Sequence, residues 1–343
     1  MRLLKKRLAE MGSGRLVGPD PEKVTLADLR QMLVDDYGLK GNRTTARAEQ
    51  SMAHVTEHFG EQAKALDVTA DGLVAYARRR REAGAASATV KNELAALRRA
   101  FNLAVRAGRL PQRPFFPVLE ARNRRVGFFE RTDFERVLAH LPAGVASLAE
   151  FLDWSGWRKG EALGLEWRSV DADAGVLRIE DSKNREPRTL PYKALPALAA
   201  VIDGQRERTS AVEQAKGIIV RSVFHRDGKP IRDFRRVWVK ACIAAGLGRE
   251  EKDAKGKIIR RVAFRMIHDN RRTAARNMSR AGVPEGVIMA LCGWKTRSVF
   301  DRYRIVNEAD LADGLGKLAA AQERQGQPEA ASGNVAAFRK VAR

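Results

Sequence analysis

The segment from His268 to Tyr303, HDNRRTAARNMSRAGVPEGVIMALCGWKTRSVFDRY, leaves few folds open to the chain that carries it. At 100° per residue, Ile267, Ala274 and Met278 gather on one side of a helix, with Arg271 beside that seam and His268 at its edge. The two lie three apart and reach a shared target. Half buried together with no glutamate close by, they call for an anion. Pro284 opens a second helix in the favoured first position, Ile288 and Leu291 pack it, and Gly293 stops it. Trp294 follows, then a short helix capped by Thr296 or Ser298, with Val299 and Phe300 inward and Tyr303 on the same side. Taken singly, each of these is ordinary: a satisfied surface histidine, a core tryptophan, a tyrosine with its hydroxyl at the surface.

The charge narrows the partner. Lys plus Arg is 64 and Asp plus Glu is 42 in 343 residues, a net charge of +22. An excess of that size implies a polyanion, most often nucleic acid. A membrane surface is the competitor, but no apolar run approaches the roughly 20 residues that span a bilayer. The basic N-terminus, MRLLKKRLAEMGSGR, lacks the apolar core of a signal peptide, so a cytoplasmic, nucleoid-associated location is expected. Cys242 and Cys292 are fifty residues apart and read as buried free thiols, with no metal-type spacing. No cofactor is expected.

The N-terminal part reads as loose through residue 23 and then as four helices. Thr25 caps the first, which carries Leu26, Leu29, Met32 and Leu33; the second covers Thr44–Phe59. The third starts near Thr69 and runs into Arg78-Arg79-Arg80-Arg81. The fourth extends from Ser87 to about Ala107, where Val90, Leu94, Leu97, Phe101 and Val105 step by three and four. This is a small helical bundle over 24–108. Between Arg78 and Arg109 there are nine Lys/Arg against two Asp/Glu. Arg78, Arg79, Lys91, Arg98 and Arg99 are therefore candidate phosphate contacts, rather than only a solvated face. Residues 109–127, RLPQRPFFPVLEARNRRVG, with three prolines and five arginines, read as a basic linker.

The C-terminal part, 128–321, is expected to be α+β: mainly α with a small antiparallel β-sheet. Thr132 is the expected cap of its first helix, with Glu135 at the capping-box position. A second helix leads to SGWRKGEALGLEW. Val176–Ile179 and Thr189–Tyr192 alternate as a β-hairpin around the turn SKNREPR. Helices follow over Leu195–Glu207 and Ile231–Ala245, then a polar, lysine-rich loop at 249–259. After Tyr303, Leu311, Leu315 and Leu318 mark an amphipathic tail helix, and 322–343 read as disordered.

In combination the motifs are specific. The order Arg158 in SGWRKGEALGLEW, Lys183 in SKNREPR, His268 and Arg271 in HDNRRTAA, Trp294, and Tyr303 nine residues later resembles the tyrosine recombinase (phage-type integrase) family. The likeness covers roughly 127–320 by motif, and the bundle by size, position and charge. Two departures are visible: Asn270 where the family usually has leucine, and Trp294 where it often has histidine. The resemblance implies a two-domain clamp on double-stranded DNA. It implies four protomers on two sites, with accessory bending or directionality proteins possible. The implied activity is strand cleavage and rejoining through a 3′-phosphotyrosyl link on Tyr303, without metal. Arg158 and Arg271 would hold the phosphate, His268 would take the phenol proton, Lys183 would protonate the leaving oxygen, Glu161 would orient Arg158, and Trp294 would donate its indole N–H. A metal-independent topoisomerase and a non-catalytic DNA-binding regulator are the competing readings.

Overall fold

The computed structural model describes residues 20–42, 44–120, 127–179, 187–303, 311–312, 314–319 and 322, with side chains through Asp301 in the helix that ends at Tyr303. Lys183, the first 19 residues, part of the expected linker, 304–310 and 323–343 lie outside the described residues, as does the Tyr303 side chain. The chain divides into two units, Met1–Arg124 and Arg125–Arg343.

In the first unit, α1 (Leu26–Leu39) begins at a reciprocal cap: the Thr25 hydroxyl accepts from the Asp28 amide and the Asp28 carboxylate accepts from the Thr25 amide. Then come α2 (Thr45–Phe59), α3 (Ala70–Glu82, capped by Thr69) and α4 (Ser87–Arg106). All three earlier helices pack on α4, whose Val90, Leu94, Leu97 and Phe101 are buried as their spacing requires. One carboxylate is buried with them. Glu93 accepts from the Tyr76 hydroxyl (2.7 Å) and from Arg80 Nε and Nη2, so its charge is both paired and hydrogen-bonded. Residues expected to form a tether fold back instead: Leu110 and Phe116 are buried in the bundle core, and the Phe116 ring meets Phe101 edge-on at 6.1 Å.

The second unit is built around α6 (Ala143–Ser155), which is apolar on most sides and buried accordingly. α5 (Arg131–Ala139), α7 (Lys159–Leu163), α8 (Pro196–Lys216) and α10 (Asp269–Arg280) all pack against it. Strands β1 (Val170–Asp171), β2 (Val176–Ile179) and β3 (Arg188–Leu190) form an antiparallel sheet, with Leu177 opposite Leu190 and Ile179 opposite Arg188. A two-stranded pair, β4 (His225–Arg226) and β5 (Lys229–Pro230), precedes α9 (Arg235–Ala244). α11 (Glu285–Cys292) and α12 (Arg297–Tyr303) follow, and residues 311–312 and 314–319 are helical and exposed. No helix among the described residues is long and apolar enough to cross a membrane.

Several expectations are corrected. α5 starts one residue before Thr132, with Glu130 as its N-cap, and Glu135 pairs with Arg131 rather than closing a capping box. Buried Phe129 anchors the entry in place of a side-chain cap. α8 runs nine residues past Glu207, and α9 begins four residues after Ile231 because β4–β5 uses the preceding stretch. The supposed loop at 249–259 is a hairpin of β6 (Gly248–Lys252) and β7 (Ile258–Ala263). Cross-strand ion pairs hold it: Glu250 with Arg261 at 2.7 Å and Glu251 with Arg260 at 4.0 Å. Asp253 Oδ1 closes its turn on the amides of Lys255 and Lys257.

Candidate active site

The site grows from the end of α6. Gly156 ends that helix in the left-handed region (φ 62°), and a Cβ there would come 2.8 Å from Cys292 Sγ. Its carbonyl accepts from Arg271 Nη1. Trp157 is buried next, edge-on to Phe151 at 5.3 Å, and it fixes where Arg158 leaves the core. Arg158 is the N-cap of α7. Its amide donates to Glu161 Oε2 (3.0 Å), its Nη1 to Glu161 Oε1 (2.9 Å) and its Nη2 to the Gly293 carbonyl (3.1 Å). Two separate bonds thus join Arg158 to Glu161.

From the other side, α10 begins at His268 and carries Arg271, whose side chain is only 2% exposed. The Arg271 guanidinium lies 4.9 Å from the centroid of the Trp294 ring. His268 stands at the helix start, partly open to solvent and partly enclosed by the protein. The protein around it and the Arg271 cation beside it hold its pKa below the ordinary 6.5, against the opposing pull of Asp269, so the imidazole is neutral at neutral pH. Asn270 is fully buried at the seam between the two helices; its Nδ2 donates to the Ala149 carbonyl of α6 at 3.4 Å, while its Oδ1 is buried without a hydrogen-bond partner among the described residues.

Gly293, left-handed at φ 67°, turns the chain out of α11 and aims its carbonyl at Arg158. Trp294 is buried and its ring packs, tilted by 58°, against Phe300 of α12 at 5.9 Å. The helix that ends in Tyr303 is thus seated on the residue that also lies beneath Arg271. Arg158, Arg271 and Trp294 are brought together; Lys183 and the Tyr303 phenol lie outside the described residues. A cavity of about 490 Å³ opens here, lined by Arg158, Arg188, Thr189, Val287, Gly293 and Trp294.

Arg188 is the member of this group that sequence reasoning missed. It opens β3, where alternation puts it on the same face as buried Leu190. An arginine on the inward face of a strand was the signal available. Its Nη2 donates to Glu161 Oε2 at 2.8 Å and its guanidinium stacks 4.6 Å from the Trp157 ring centroid.

In the first unit, Arg78, Arg79, Lys91 and Arg98 are exposed; Lys91 and Arg98, seven apart, share one face of α4. Arg99 is engaged internally. Its Nε and Nη2 donate to Asp36, and it stacks on Tyr37 at 4.4 Å.

Residues 132–310, slightly more than half of the chain, match the phage integrase family, and the chain belongs to that family. Over 205 residues it is 23% identical to the integrase of Salmonella phage P22, a match covering 57% of this chain and spanning 47% of that protein's length. Among solved structures it is similar to a lambda integrase dimer bound to a COC′ core site, with a TM-score of 0.67 and 16% identity over 83% of this chain and 79% of that one. A lambda integrase tetramer bound to a Holliday junction gives 0.66 and 17%, over 82% and 78%. The Tn1549 transposon integrase (residues 82–397) in complex with circular intermediate DNA gives 0.62 and 15%, over 85% and 99%. At such identities the likeness establishes the fold: mainly α, with small antiparallel sheets.

Proposed function

We propose that this chain is a site-specific DNA recombinase that cleaves and rejoins strands through a 3′-phosphotyrosyl intermediate on Tyr303. The observation that carries this reading is the meeting of Arg158 and Arg271, from separate elements, at the Gly293–Trp294 corner that leads into the Tyr303 helix. In this reading the Tyr303 oxygen attacks the scissile phosphorus, a new P–O bond forms and the bond to the 5′-oxygen breaks. The phenol, with an ordinary pKa of about 10, gives its proton to neutral His268. Lys183 protonates the departing 5′-oxygen. Charge gathering on the non-bridging oxygens meets the guanidinium groups of Arg158 and Arg271, and Trp294 donates its indole N–H there. The phosphotyrosine then accepts a 5′-hydroxyl from another strand. The cations are side chains of the protein and the phosphotyrosyl link conserves the energy of the broken bond, so the reaction needs neither metal nor high-energy cofactor.

The substrate is double-stranded DNA at specific sites. The bundle at 24–108 supplies phosphate contacts through Arg78, Arg79, Lys91 and Arg98, and 128–321 supplies the chemistry. The solved relatives include a dimer on a core site and a tetramer on a junction, which supports four copies acting on two sites. Accessory DNA-bending or directionality proteins fit this reading, as does action in the cytoplasm on the nucleoid.

Trapping on a nicked suicide duplex tests it. The wild-type chain is expected to form an SDS-stable adduct that maps to Tyr303, and Tyr303→Phe to bind DNA without one. Arg158→Ala and Arg271→Ala should each slow adduct formation by roughly 10²–10³-fold with a far smaller change in affinity. An undiminished adduct in Tyr303→Phe overturns the assignment. An adduct without joining of two duplexes indicates a topoisomerase, and binding with no adduct a regulator.

A further inference from the structure

Arg158 cannot act on a phosphate while its charge is cancelled. Glu161, 7% exposed, sits 2.9 Å from Arg158 Nη1 and would neutralise it if the two stood alone. They do not stand alone, because Arg188 Nη2 lies 2.8 Å from the other carboxylate oxygen with its own side chain only 10% exposed. Two guanidiniums against one carboxylate leave a net positive charge facing the cavity. Arg188 has little room to be anywhere else. Trp157 lies under its guanidinium, and a Cβ on Gly293 would stand 1.8 Å from its Nη1.

We propose that Arg188 is a positioning residue of the reaction: it holds one oxygen of Glu161 so that the other stays on Arg158, and it keeps the cluster net positive. This deepens the recombinase reading and rests on Arg158 meeting the scissile phosphate. It also ties two parts of the site together. Arg188 pairs with Ile179, the last residue of β2, so it is the first strand residue after the segment of sequence that carries Lys183. The electrostatics agree. Burial alone would raise the Glu161 carboxyl, but the bond and charge of Arg188, joined by the two bonds from Arg158, carry it below its ordinary value. The groups facing Glu161 are Arg188 from β3 and Arg158 at the start of α7. The Cys292 thiol at the end of α11 also feels Glu161, together with Arg271 of α10.

Arg188→Gln and Arg188→Lys, each alone and in a Glu161→Gln background, test this by single-turnover adduct formation on the suicide duplex, with DNA affinity measured alongside. Arg188→Gln is expected to slow adduct formation about 100-fold at nearly unchanged affinity, as misplacement of a transition-state group does. Arg188→Lys should recover part of that loss. Adding Arg188→Gln to Glu161→Gln should cost little more. Wild-type rates in Arg188→Gln, a loss matched by weaker binding, or full additivity with Glu161→Gln would each overturn the proposal. Carboxyl-¹³C NMR titration of Glu161 needs no turnover and keeps the test alive if Arg188→Gln proves poorly folded. In Arg188→Lys the titration should move to higher pH, and no movement overturns the clamp. If the wild type forms no adduct at all, the recombinase reading fails while the titration still reports on Arg188.

Discussion

Arg98 and Arg99 are adjacent, carry the same charge and look alike in the sequence, yet they occupy different physical positions. Arg98 projects from the exposed face of α4 with Lys91, while Arg99 is committed to Asp36 and Tyr37. Replacing Lys91 and Arg98 by glutamine should therefore weaken DNA binding across sequences. It should also flatten the dependence of affinity on salt by roughly one counterion for each positive charge removed. Arg99→Gln should leave that slope alone and lower the unfolding midpoint instead. A salt titration of binding for both variants decides it, and equal slopes would return Lys91 and Arg98 to the solvated face. The same distinction applies to Arg80, whose charge is used by Glu93 within the bundle.

At the scale of elements, the turns between helices carry the site, and at Gly156 and Gly293 they depend on a left-handed backbone that glycine adopts without strain. Gly156 combines a left-handed backbone with contact to Cys292 and Ala274, and its carbonyl holds Arg271. Gly156→Ala should cost about 1–3 kcal/mol in urea unfolding, from backbone strain and overpacking together. Loss of less than a few tenths would show that the corner relaxes freely. The helices were legible wherever burial follows a period of three and four, as at Val90, Leu94, Leu97 and Phe101. His268 and Arg271 stood out by their spacing on one helix, while Arg158 and Trp294 were singled out only by the resemblance to the family. The β6–β7 hairpin was not, because Glu250–Arg261 and Glu251–Arg260 pair across strands and leave no alternation of apolar and polar residues to read. Arg188 was hidden for a related cause: its partner Glu161 is 27 residues away, and only the folded sheet brings them together.

For the molecule as a whole, each unit has its own buried core, so heating should melt the two in separate steps. Asp153 offers a label for the second. Burial pushes its carboxyl up to about 7, opposed by Arg131 at 3.7 Å and aided by Glu150. The folded chain thus keeps a proton that the unfolded chain, titrating near 3.8, gives up. Stability is favoured below the unfolded value and lost as pH rises through 7. Asp153→Asn should raise the melting temperature of the second unit at pH 8.5, give a distinctly smaller gain at pH 5, and leave the first unit's transition where it was; calorimetry at the two pH values checks this. A different use follows from Trp157 and Trp294, each of which lies against a guanidinium of the site. Indole emission is sensitive to a nearby charge. Displacement of Arg188 or Arg271 should therefore register as a colour shift in the protein's own fluorescence, which can be followed in a stopped-flow cell without attaching a dye.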